Sequence, residues 1–129
     1  MRKLGRYAAA DADFKRALAM YQTDHGTSQR RLAEPLHGLG EVRLAQGEVQ
    51  ASVSYLERAL ELRALDEVDP TTIANTRFAL ARALWLDGAD RRRARSLAVA
   101  ARDAYERRQR PEAAEVAAWL ASHSSPRRR

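Results

Sequence analysis

The sequence predicts an all-α fold, a solenoid of antiparallel helix hairpins, and three observations carry that prediction. The first is an internal echo: Gly5-x-Tyr7-x-x-Ala10-x-x-x-Phe14-x-x-Ala17-Leu18 returns 42 residues later as Gly47-x-Val49-x-x-Ser52-x-x-x-Leu56-x-x-Ala59-Leu60. Self-similarity at such a period marks stacked repeats, each too small to bury its own apolar face. A further step of 42 lands on Ala94, Ala98 and Ala101, which keeps the small residues and loses the large one. Three copies are readable, the third degraded. The second observation is scarcity of breakers: four Pro and six Gly in 129 residues, against a background rich in Ala, Leu, Arg and Glu, the residues helices prefer. The third is apolar spacing of three and four residues through each segment.

The elements follow in order. Residues 6–22 read as the second helix of a truncated repeat, because only four residues precede Gly5 where a first helix needs about 15 to 18. Its stripe of Tyr7, Phe14, Leu18 and Tyr21 is therefore expected to lack full cover within the chain, at a forfeit of ~1.5–3 kcal/mol for each bulky side chain left in water. That edge is expected to meet an upstream helix, a second copy in a homo-oligomer or domain-swapped assembly, or a partner peptide. Residues 28–65 form a hairpin, with Leu32, Leu36, Leu39, Gly40 and Leu44 on its first helix and Ser52, Leu56, Ala59, Leu60 and Leu62 on its second. Gly47 suits the turn between them, since glycine takes the left-handed conformation that ends a helix without a Cβ clash.

A second hairpin spans 70–108. Asp69 is placed to cap it and Pro70 to open its first turn. Ile73, Ala74, Phe78, Ala81, Leu84 and Trp85 mark its first helix, and Ala94, Leu97, Ala98, Ala101 and Tyr105 its second. Gly47 to Gly88 is 41 residues while Ser52 to Ala94 is 42, so a one-residue insertion falls in the last turn and leaves this hairpin's register open by one. Pro111 begins a capping helix over 111–122 that covers the last repeat's apolar edge. Residues 1–122 thus read as a single domain, and 123–129 as a disordered basic tail.

Composition narrows the function. No stretch approaches the roughly 18 apolar residues of a membrane span and no apolar secretion core follows Met1, so the protein is expected to be cytoplasmic with no membrane role. Zero cysteines exclude disulfides and thiolate chemistry. His25, His37 and His123 lack metal-ligand spacing, and no serine has a histidine and acid partner, so neither metal, cofactor nor catalytic residue is assigned and the protein is not expected to be an enzyme. The net charge of +6 is confined to residues 88–129, where Arg91, Arg92, Arg95 and Arg102 make one helix a basic patch. Such a field attracts anionic partners, which gives the alternative reading of a nucleic-acid-binding or transcription-linked module. Stacking aromatics are not interleaved with that stripe, and nucleic acid is the lesser reading.

Leu36-x-x-Leu39-Gly40 ahead of the Gly47 to Leu60 pattern resembles the tetratricopeptide repeat (TPR), over roughly residues 5–105. Its 42-residue period, longer than the usual 34 of that family, is closer to the repeats of kinesin light chains and their bacterial relatives. Arg43 stands where the family favours an aromatic, and Ala98 where it favours a bulky residue. The resemblance implies a right-handed superhelix that binds protein or peptide along the wall made by the first helix of each pair; carried onto this sequence, that wall includes His37, Glu41, Leu44, Phe78, Arg82 and Trp85. A groove this short implies affinities on the order of micromolar. A narrower likeness, in Phe78 to Trp85, Arg91 to Ala101 and Ala118 to His123, is to the C-terminal repeat region of large bacterial Ser/Thr protein kinases, notably of myxobacteria. It implies a regulatory or scaffolding piece of a larger signalling protein, since no kinase catalytic motif occurs in these 129 residues. Gly38-x-Gly40-x-x-Arg43 lacks a third glycine and falls within a helix, so it carries no nucleotide role.

Overall fold

The computed structural model describes residues 2–23, 29–65 and 69–124. All regular structure among them is helical: α1 (Arg2–Thr23), a 3-10 turn (Gln29–Leu32), α2 (Ala33–Ala45), α3 (Val49–Leu65), α4 (Pro70–Asp87), α5 (Arg91–Arg107) and α6 (Glu112–Ser122). The protein divides into two compact units, Met1–Glu67 and Val68–Arg129, where the sequence reads as one continuous domain. His25 and residues 125–129 of the expected tail lie outside the described residues.

In the first unit α2 opens on a 3-10 turn because Pro35, having no N–H, is tolerated only where a helix has no use for that donor, in its first turn. Gly47 ends the helix at φ +82°, with its N–H on the Leu44 carbonyl at 3.0 Å and that of Glu48 on Arg43 at 2.8 Å. The backbone thereby reverses into α3. Leu32, Leu36 and Ala59 form the centre of this unit, with Leu18, Tyr21, Tyr55 and Leu62 packed around them. The helices come close at Gly40, where a Cβ would meet Leu56 Cδ2 at 2.7 Å and Cγ closer still. There the buried Ser52 hydroxyl donates to the Gly40 carbonyl at 2.7 Å, which satisfies the one polar side chain at that contact.

In the second unit Asp69 caps α4 by accepting from the Thr71 N–H and hydroxyl, both at 2.9 Å; those bonds favour the carboxylate and hold its pKa below the ordinary value. Gly88 ends the helix at φ +82°, and Asp90 caps α5 through the Arg93 N–H at 3.0 Å. Ala94, Ala98 and Ala101 are fully buried, as are Ser52, Leu56 and Ala59. The 42-residue step therefore holds through α5 and the insertion is absorbed in the turn. Ala74, Phe78, Ala81, Ala104, Tyr105, Val116 and Leu120 complete this core. The Tyr105 hydroxyl donates to Asn75 Oδ1, and burial, helped by Glu112 and Glu115, pushes the phenol up to about 12.

Candidate interaction surfaces

Of the six residues assigned to the partner-binding wall, His37, Glu41 and Leu44 lie on one face of α2 at spacings of four and three. His37 Nε2 stands 3.3 Å from Glu41 Oε1, Glu41 is exposed and Leu44 is half-buried. Arg63 of α3 belongs to the same electrostatic neighbourhood: burial lowers its pKa, while the charges of Glu34 and Glu41 oppose that shift. This face therefore carries a half-buried apolar side chain, Leu44, one turn from the exposed Glu41.

Phe78, Arg82 and Trp85 are placed otherwise. Phe78 is buried and meets Trp119 edge to face at 5.8 Å, with the Arg82 guanidinium 5.0 Å above its ring. Trp85 packs its edge against Trp119 at 5.8 Å and His123 at 5.3 Å, and carries Arg91 over its face at 4.7 Å. The expected wall is here a packed aromatic cluster, because α6 lays Trp119 across α4. His123, assigned by sequence to the disordered tail, is the C-cap of α6, stacked on Trp119 at 4.3 Å and 12°.

The basic patch is mostly spent within the molecule. Arg91 donates its Nε–H to the Trp85 carbonyl at 3.1 Å. Arg95 reaches over the end of α6 and donates to the carbonyls of Leu120, at 2.9 Å, and His123, closing that helix from outside in a way that spacing along α5 does not reveal. Arg102 pairs with Asp103 at 3.3 Å. Arg92 is exposed. Two arginines of a stripe that reads as a phosphate track, Arg91 and Arg95, are thus interhelical fasteners.

At the α1 edge Tyr7, Phe14, Leu18 and Tyr21 are all half-buried, and Phe14, Leu18 and Tyr21 pack towards α2. The Phe14 ring occupies the space beside Gly38, where a Cβ would come within 2.6 Å of Cε2, and Leu18 and Tyr21 lie on the Leu32 and Leu36 core. Arg43 fastens this contact, 3.1 Å from Asp11 and 3.3 Å from Glu48, while Lys15 reaches the other Asp11 oxygen at 3.2 Å. The residue that replaces the family's aromatic holds α1 by charge, and its presence at an aromatic position was the signal available in the sequence. Arg43→Ala should loosen α1 by about 1 kcal/mol, since it removes a largely buried ion pair while Lys15 stays on Asp11 and limits the cost. Hydrogen exchange should then quicken roughly fivefold in α1 amides and stay unchanged in α4 and α5; unchanged α1 exchange refutes the clamp.

Among the described residues no group of three or more His, Asp or Glu could hold a metal ion, and no helix is long and apolar enough to cross a membrane. Compared with known families, residues 1–64 match the tetratricopeptide repeat. No curated protein and no solved structure matches the sequence.

Proposed function

We propose, from the match of residues 1–64 to the tetratricopeptide repeat, that the protein is a non-catalytic repeat scaffold whose α2 face receives a partner peptide and whose α1 edge self-associates. Repeats of this kind commonly bind proteins or peptides, and one observation carries the assignment of the face: His37, Glu41 and Leu44 share one side of α2, with Glu41 exposed and Leu44 half-buried, while Phe78 and Trp85 are packed against Trp119. The resemblance of Phe78 to Trp85 and Ala118 to His123 to the repeat regions of bacterial Ser/Thr kinases supports a regulatory place in a larger cytoplasmic signalling protein. The engagement of Arg91, Arg95 and Arg102 within the molecule weighs against the nucleic-acid alternative.

A displayed peptide library selected on the immobilised protein tests this reading. Selected peptides should bind with micromolar affinity, and Leu44→Glu should weaken them roughly tenfold by placing a charge where an apolar group docks. Enrichment no better than on the Leu44→Glu variant would remove the α2 face from the proposal.

A further inference from the structure

Two second-type helices of the repeat, α3 and α1, are alike in register and unlike in cover. In α3, Ala59 is fully buried and Tyr55 and Leu62 pack beside it on the Leu32 and Leu36 core of α2. Forty-two residues earlier stand Asp13, Ala17 and Met20 of α1. Here Ala17 is only half-buried, Asp13 is exposed, and Met20, the counterpart of Leu62, is 59% exposed. The side of α1 turned away from α2 is thus the side that a first-type helix covers elsewhere in the molecule.

A helix of that type with the complementary side open is present at the other end. Eighty-four residues, two repeat steps, carry Leu32, Ala33 and Leu36 onto Val116, Ala117 and Leu120. Val116 and Leu120 are buried in the second unit's core as Leu32 and Leu36 are in the first. Ala33 is buried, yet Ala117 is exposed, and Ala114, Ala118 and Ala121 of α6 are exposed with it. Alanines at such positions let a neighbouring backbone come close, as Gly40 does for Leu56. Between them α1 and α6 hold the two halves of one repeat.

We infer that α6 of one copy seats on the open side of α1 of a second copy, antiparallel as α2 lies on α3, so that the protein assembles head to tail. This rests on the self-association reading above and specifies its surfaces. The contact joins two different patches, so it is heterologous, and each added copy presents a fresh α1 or α6. Growth is then open-ended or closes only as a ring, unlike a two-fold dimer in which α1 meets α1.

Sedimentation velocity on the full-length protein over a concentration series, with Met20→Glu and Ala117→Glu beside it, tests the inference. Both substitutions fall on exposed positions, and circular dichroism establishes that each variant is folded. The unaltered protein should exceed twice its 14.5 kDa as concentration rises. Each variant alone should need roughly tenfold more protein to associate, since its new carboxylate is buried in the contact. Mixed one to one, the variants should stop at a pair, because each supplies the surface the other lacks. As a check on register, Met20→Cys and Ala117→Cys variants, otherwise cysteine-free, should cross-link to each other far faster than either does to itself. A monomer at all concentrations overturns the inference, and so does assembly that survives Ala117→Glu. Leu44→Glu should leave the mass distribution unchanged, which separates failure here from failure of the peptide-binding face.

Discussion

Replacing Gly40 by alanine is expected to destabilise the first unit by about 2 kcal/mol. In an exposed helix the same change gains ~1 kcal/mol, since alanine is the better helix former, so the sign of the result is diagnostic. At Gly40 the added methyl has nowhere to go. Leu56 Cδ2 would lie 2.7 Å away, Leu56 is fully buried, and the Ser52 hydroxyl bonded to the Gly40 carbonyl at 2.7 Å resists any separation of the helices. Overpacking of this kind costs ~1–3 kcal/mol and at times more, which overrides the propensity gain. Gly38→Ala is the contrasting case: the obstacle is the ring of Phe14, half-buried on α1 and able to swing, so α1 should shift while the α2 and α3 contact survives.

Denaturant unfolding measures the effect, and a double-mutant cycle assigns it. Leu56→Ala alone should cost ~2–5 kcal/mol as a core truncation. Combined with Gly40→Ala the costs should fall short of additive by more than about 1 kcal/mol, because the truncation removes the clash. Additive costs would show that Gly40 matters for some reason other than close approach to Leu56.

The second large effect is expected at Trp119. Trp119→Ala should cost the second unit about 3 kcal/mol, within the range for removing a large packed aromatic, although Trp119 is only half-buried. Its weight comes from position: the ring touches Phe78 and Trp85 edge to face and carries His123 on its own face. Aromatic pairs contribute ~0.5–1.5 kcal/mol each beyond area burial, and all three go together. Trp85 then remains as the sole indole, and its fluorescence should move to the red as water reaches it. Hydrogen exchange should rise in α6 and along α4 near Trp85, with α2 and α3 unaffected. A loss under about 1 kcal/mol would mean that Val116 and Leu120, buried beneath, hold α6 without the cluster.

These two cases differ in how far they are legible in the sequence. Gly40 falls on the inner side of a helix, ahead of a turn marked by Gly47, because its neighbours Leu36 and Leu39 recur at helical spacing. The Trp119 and His123 stack is not legible. His123 follows the last apolar residue of α6 and by local pattern alone belongs to the tail; Trp119 beneath it, Trp85 beside it and Arg95 across its carbonyl, 28 residues away in sequence, make it structured. Phe78 and Trp85 likewise read as wall or core with equal right until α6 is laid over them.

What the sequence by itself determined is everything governed by neighbours along the backbone: the helices, the cap at Asp69, the left-handed glycine at 47 and the 42-residue period, with the last hairpin's register open by one until the burial of Ala94, Ala98 and Ala101 set it. Backbone conformation and capping are decided within about four residues, so local pattern suffices for them. The tertiary structure alone decided which face of α1 is covered, which arginines are spent as fasteners and which wall residues stay open. Those outcomes depend on long side chains such as Arg43, Arg95 and Trp119 choosing partners on another helix, and a sequence read one residue after another holds no record of which helix arrives beside it.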